Sequence, residues 1–150
     1  MLKSGLFFVG TVVDTAILVS IVATQLVLAD IAGFGVDISM GDRLMATVHD
    51  LLNFGPTLLV LIGVSFAVAF LVAFLAHRRF GGNRTTWYMV AGLTSFPAMI
   101  FLLRAAMGVT LIAAARNLTG LILLSLCCMA GGWAFAWLTS RFGNGEKADA

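Results

Sequence analysis

The chain has 150 residues, of which 61% are hydrophobic and only 11% charged, with a formal net charge of +2. Soluble domains carry about 25% charged residues to cover their surface. A soluble enzyme, a nucleic-acid-binding domain and a disordered chain are therefore excluded. The small net charge offers nothing to a polyanionic partner. What remains is an integral membrane protein whose first partner is the lipid bilayer.

A helix that crosses the hydrocarbon needs about 20 apolar residues. The first such segment is residues 6–29, interrupted only by Asp14. It follows Lys3 and ends in Val27, Leu28 and Ala29, which has the look of a cleavable leader. Its apolar run is much longer than the roughly 7–15 residues of a signal peptide, so it reads as an uncleaved anchor. Residues 39–53 follow, after Gly33 and Gly35 break the chain. Here Leu44, Met45, Val48, Leu51 and Leu52 fall on one helical face, and Asp42, Arg43, Thr47, His49, Asp50 and Asn53 on the other. Ser39 precedes Asp42 by three residues, the spacing of a capped helix start. This predicts an amphipathic helix lying on the membrane surface or across the mouth of the bundle.

The second span is residues 56–76, uncharged and opened by Pro56, which the first turn of a helix tolerates. The third is residues 87–107, with Pro97 and Arg104 inside it. The fourth is residues 118–139, containing the adjacent Cys127 and Cys128. Two neighbouring cysteines on a helix point about 100° apart and are poorly placed to bridge. They read as small packing residues. The tail, residues 144–150, is polar. The fold class expected is an all-α, single-domain, four-transmembrane-helix bundle with an amphipathic interfacial helix between spans one and two.

Charge sets the orientation. Lys3, Arg78, Arg79, Arg84, Arg141 and Lys147 fall on one side of the spans, with His77. Arg43 and Arg116 fall on the other, with Asp30, Asp37, Asp42 and Asp50. The basic side is expected to be cytoplasmic, which puts both termini inside and the protein in a cell inner membrane. Trp87, Tyr88, Trp133 and Trp137 fall near the cytoplasmic interface, where amphipathic rings sit. Small residues recur at four-residue spacing in every span, as in Ala16, Ser20 and Thr24 or Gly132 and Ala136. Such seams let helix backbones approach, within one chain or between chains.

Two sets of polar residues are candidate sites. Asp14 lies about 12 Å beyond Leu6 along the helix, deep enough to need a proton, a partner or water. Thr94 and Ser95 on span three and Gly131 on span four reach a similar depth. Gln25 lies eleven residues beyond Asp14, on the same helical face. These residues would form an intramembrane polar site. On the other side of the membrane Asp42, Arg43, His49, Asp50 and Arg104 would contact a partner or a lipid headgroup. Arg104 is too far along its helix to reach Asp14, and Asp30, Asp37 or the outer loop are its expected partners.

The chemistry for most enzymes is lacking. His49 and His77 fall on opposite sides and cannot clamp one haem. No metal-binding spacing occurs, so neither cofactor nor metal is expected. An aspartyl protease of this size needs two intramembrane acids, and Asp14 stands alone. The leading expectation is a small multi-pass protein acting by contacts, as an accessory or scaffolding subunit or a homo-oligomer. The alternative is a small transporter or channel in which Asp14 titrates. A third is a lipid-modifying enzyme using Asp42, His49 and Asp50.

Overall fold

The computed structural model describes residues 2–35, 37–107 and 113–142, so the tail expected at 144–150 lies outside the described residues. The described chain is helical: α1 (Leu2–Ala32), α2 (Met40–Asn53), α3 (Gly55–Phe80), α4 (Arg84–Met107), a 3-10 turn (Ala113–Arg116) and α5 (Leu118–Phe142). Four of these helices, all but α2, are long and apolar enough to cross a membrane. They support a multi-pass helical membrane protein. Three of the four begin before the apolar runs that predict them, and three end after them. Helix α3 carries His77, Arg78 and Arg79 in its last turn, and α5 carries Arg141 in its last turn. Basic side chains favour the negative end of a helix, so the helix does not stop where the apolar run does.

The four long helices form a ring. Helix α1 packs on α3 and α5, and α4 packs on the same two from the opposite side. Helix α2 and the 3-10 turn close one end of the ring against α1, with α2 also touching α3 and the turn touching α5. We refer to this as the α2 end. The opposite end gathers His77, Arg78, Arg79, Arg84 and Arg141 and is the basic end.

The closest packing joins α4 and α5. A Cβ added at Gly92 would collide with the backbone carbonyl of Cys128, and one at Gly132 with the carbonyl of Tyr88. Glycine is required at both positions because the obstacle is backbone, which cannot rotate away. Toward the basic end an aromatic cluster fills the ring. Phe70 stacks on Phe66 and Phe135 with ring centroids 4.8 Å apart in each case, and Tyr88 meets Phe70 edge-on at 5.3 Å. Edge-on and offset stacks of this kind add to the burial of the rings themselves. Arg84 reaches across to donate to the Thr139 hydroxyl (3.1 Å) and lies over the Tyr88 ring.

The polarity of the bundle is reversed from that of a soluble protein. Leu6, Val60, Val64, Val68, Leu71, Phe101 and Leu102 are exposed, while Thr11, Thr15, Ser20, Thr24, Ser95, Ser125 and Thr139 are buried. Apolar surroundings make no demand on the outward side chains, and interior hydroxyls can bond their own helix. Thr11, Thr15, Thr24, Ser125 and Thr139 each donate to the carbonyl four residues back, at 2.7–2.9 Å. Ser95 donates to the carbonyl three residues back.

Candidate functional site: the polar clasp and cavity at the α2 end

Ser39 caps α2 through a reciprocal pair. The Asp42 backbone N–H donates to the Ser39 hydroxyl oxygen, and the Asp42 carboxylate accepts from the Ser39 backbone N–H and hydroxyl. The cap occupies Asp42 and fixes where the helix begins. The rotation of α2 follows from what each face meets. Leu44, Met45, Val48 and Leu52 point out of the bundle. Arg43, Thr47 and Asp50, spaced four and three residues apart, point toward α1.

There they meet Thr24 and Gln25. The Gln25 side-chain amide donates to Thr47 Oγ1 (3.1 Å), and its oxygen accepts from Arg43 Nη1 (3.2 Å). The Thr47 hydroxyl donates onward to the Arg43 carbonyl at 2.7 Å, which closes the network. One turn further along α2, Asp50 Oδ2 lies 2.8 Å from the Thr24 hydroxyl. That hydroxyl also lies 2.9 Å from the Ser20 carbonyl, so its single proton is shared between two acceptors. The neutral Gln25–Thr47 bond contributes about 0.5–1.5 kcal/mol net, and the Gln25–Arg43 and Thr24–Asp50 bonds, each with a charged partner, about 1.5–3 kcal/mol. On the other side of α1, Asn117 donates to Asp30 at 3.1 Å and ties the turn before α5 to the end of α1.

Beneath the clasp lies a cavity of about 360 Å³ between α1, α2 and the 3-10 turn. Ser20, Thr24 and Asp50 supply its polar surface, and Val27, Phe54 and Ala114 are among its apolar walls. Ser20 is only 2% exposed, and its hydroxyl has no hydrogen-bond partner. A second recess, about 620 Å³, runs along the outside of the bundle between α3 and α4 and is almost wholly apolar. Its hydroxyls, Ser65, Thr94 and Ser95, are taken by the carbonyls of Ser95, Val90 and Gly92.

No protein-family model, curated protein or solved structure matches this chain. The functional argument therefore rests on the residues and their geometry.

The structure does not bring together the residues expected to form the intramembrane polar site. Asp14 points out of the bundle, with no hydrogen bond to any described residue. Thr94 and Ser95 both line the outer α3–α4 recess, and Ser95 is buried and bonded to Gly92. Gly131 faces Thr15 and Phe66: a Cβ there would strike the Thr15 hydroxyl. Thr15, one residue from Asp14, occupies the interior position that the sequence reading gave to the acid. Gln25 belongs instead to the α1–α2 clasp.

The second set divides. Arg43 and Asp50 face α1, whereas Asp42 serves the helix cap and His49 is exposed. Among the described residues no hydrogen bond joins Asp42, His49 and Asp50 to one another, and no group of three metal-binding side chains occurs. Arg104 lies exposed in the last turn of α4. Asp30, one of its expected partners, accepts from Asn117. Ser20, Thr24, Thr47 and Asn117 were not anticipated as site residues. The repeat of Ala16, Ser20 and Thr24 was a visible signal, but it reads equally well as packing.

Proposed function

We propose that this chain is a multi-pass protein of a cell inner membrane that works by lateral contact within the bilayer, as a self-associating or accessory subunit. The observation that carries this reading is the outward direction of Asp14. It lies within a candidate span, on a face formed by Leu6, Gly10, Ile17, Leu18 and Ile21, all exposed. An acid at the centre of a spanning helix costs about 2.5–3.5 kcal/mol against lipid. Among the described residues none is hydrogen-bonded to the Asp14 carboxyl to offset this. A neighbouring helix that hydrogen-bonds the carboxyl would offset it.

The partner we favour is a second copy. Two α1 helices related by a two-fold axis present the same face to each other, so one carboxyl meets its equivalent. A protonated carboxyl is both donor and acceptor, and a pair of them satisfies both members. Gly10 is one turn from Asp14, and a Cβ there would meet nothing within 4 Å. It leaves a notch that allows close approach of another backbone.

In this reading the basic end is cytoplasmic, since Lys and Arg accumulate in cytoplasmic loops. Helix α2 then lies at the opposite membrane face with Leu44, Met45, Val48 and Leu52 turned to the acyl chains. Its polar residues are held by α1. The working surface is the uncovered face of α1.

Energy transfer between donor- and acceptor-labelled protein in phosphatidylcholine vesicles tests the proposal. Wild type should show transfer that falls on dilution with lipid, and Asp14→Leu should remove it while helix content is unchanged. Transfer in Asp14→Leu equal to wild type would dismiss α1 as the contact. A monomer throughout, together with a stoichiometric companion on purification from native membranes, would point to a partner helix with a basic or hydroxyl-bearing side chain.

A further inference from the structure

We infer that the cavity between α1, α2 and the 3-10 turn is a binding site for a primary ammonium group carried on an apolar body. The argument begins with the buried hydroxyls. Thr11, Thr15, Thr24, Ser95, Ser125 and Thr139 each donate to a carbonyl of their own helix. Among the buried Ser and Thr side chains of the described residues, Ser20 is the one whose oxygen neither donates nor accepts, although it is on the same helix as three of the others. It lines a cavity together with Thr24 and the carboxylate-bearing Asp50. A buried polar group without a partner is costly, and such groups are rare in native folds. Its position places that requirement at the cavity.

The remaining lining defines the complementary chemistry. Asp50 supplies a negative charge and lone pairs beyond the one directed to Thr24. Ser20 and Thr24 supply hydroxyl oxygens. Among the described residues no basic side chain lines the cavity, and Arg43 on the same face of α2 is engaged by Gln25. The walls are otherwise Ala, Val, Leu and Phe. An R–NH3+ group offers three N–H donors to a carboxylate and two hydroxyls, and its apolar body fills the remainder. A quaternary ammonium has no N–H to give. The volume of 360 Å³ far exceeds the roughly 30 Å³ share of one water and suits a ligand of several heavy atoms.

Such an amine can come from an aminophospholipid headgroup or from a soluble alkylamine. The full-length protein in phosphatidylcholine nanodiscs separates them. One arm adds n-hexylammonium chloride and measures binding by calorimetry, with tetramethylammonium chloride as comparison. The other introduces phosphatidylethanolamine and measures retained lipid by native mass spectrometry. Saturable binding of hexylammonium assigns a soluble amine, and selective retention of phosphatidylethanolamine over phosphatidylcholine assigns the headgroup. Both outcomes support the site.

Asp50→Asn keeps an acceptor for Thr24 but removes the charge, and should weaken binding about tenfold or more. Ala46→Leu fills the cavity without changing charge and should abolish binding. Wild type that binds neither ligand would overturn the proposal. So would binding that is unchanged in both Asp50→Asn and Ala46→Leu. Self-association through α1 is measured separately and is unaffected by either result.

Discussion

Gln25 is the hub of the α1–α2 clasp, and Gln25→Leu isolates its contribution with little change in volume. The substitution removes one charge-assisted bond from Arg43 (3.2 Å) and one neutral bond to Thr47 (3.1 Å). In a protein interior these contribute about 1.5–3 and 0.5–1.5 kcal/mol. Gln25 is half-buried at the end of the bundle, where water can replace part of what is lost. The net effect should be about 2 kcal/mol, or roughly a thirtyfold increase in the open fraction of α2. Amide hydrogen exchange read by mass spectrometry on peptides within residues 40–53 measures that opening directly. Exchange should accelerate about thirtyfold in α2 and remain unchanged in α4 and α5. The bonds share Gln25, so Thr47→Val added to Gln25→Leu should cost less than the two single effects together. Protection of α2 equal to wild type in Gln25→Leu would show that the clasp is decoration and that α2 is held by something else.

Two further outcomes follow from packing and charge. Gly92→Ala and Gly132→Ala each force α4 and α5 apart at a backbone carbonyl and should destabilise the bundle by about 1–3 kcal/mol in detergent-titration unfolding. Gly63→Ala meets only an ordinary 3.5 Å contact with Val12 and should be neutral or stabilising by up to about 1 kcal/mol; equal losses at all three positions would refute the close-approach argument. For orientation, a cysteine at Met40 should react with an impermeant maleimide on intact cells, whereas a cysteine at Asn83 should react only after permeabilisation, and the reverse pattern would invert the topology.

The architecture was legible in the sequence because it depends on properties that act over whole segments. Twenty apolar residues in a row have few alternatives to a spanning helix, and Ser39 with Asp42 marks a helix start wherever it occurs. Rotation about each helix axis was less well determined. Asp14 was read as interior because a buried acid is expensive in lipid. Yet the small-residue repeat at Ala16, Ser20 and Thr24 already defines the packing face, and Asp14 lies about 200° around the helix from Ala16. Those two signals conflicted, and close packing won. Gln25 returns to within about 20° of the Asp14 direction. It is covered because α2 crosses α1 at that level and not lower down. The clasp itself was hidden in the sequence for a different reason: which side of α2 meets α1 depends on tertiary contact that the helical pattern does not specify. A helix with one apolar and one polar face can present either, and here the Arg43, Thr47 and Asp50 stripe turns inward while Asp42, His49 and Asn53 stay exposed.

That inversion explains why the two proposals rest on different residues. In a bundle with apolar surroundings, the polar groups must be satisfied by the chain itself or by something beyond it. Most of the interior hydroxyls meet this condition through a carbonyl of their own helix, and α2 meets it through Thr24 and Gln25. Asp14 and Ser20 do not. One is a carboxyl turned outward among exposed Leu and Ile, where the proposed complementary group belongs to another helix. The other is a buried hydroxyl that lines the same cavity as a carboxylate, where the proposed complementary group is one small enough to enter 360 Å³. Helix α2 covers the second and leaves the first uncovered. The proposed lateral contact and the proposed ligand site thus lie at different levels of α1, and a change at one need not disturb the other.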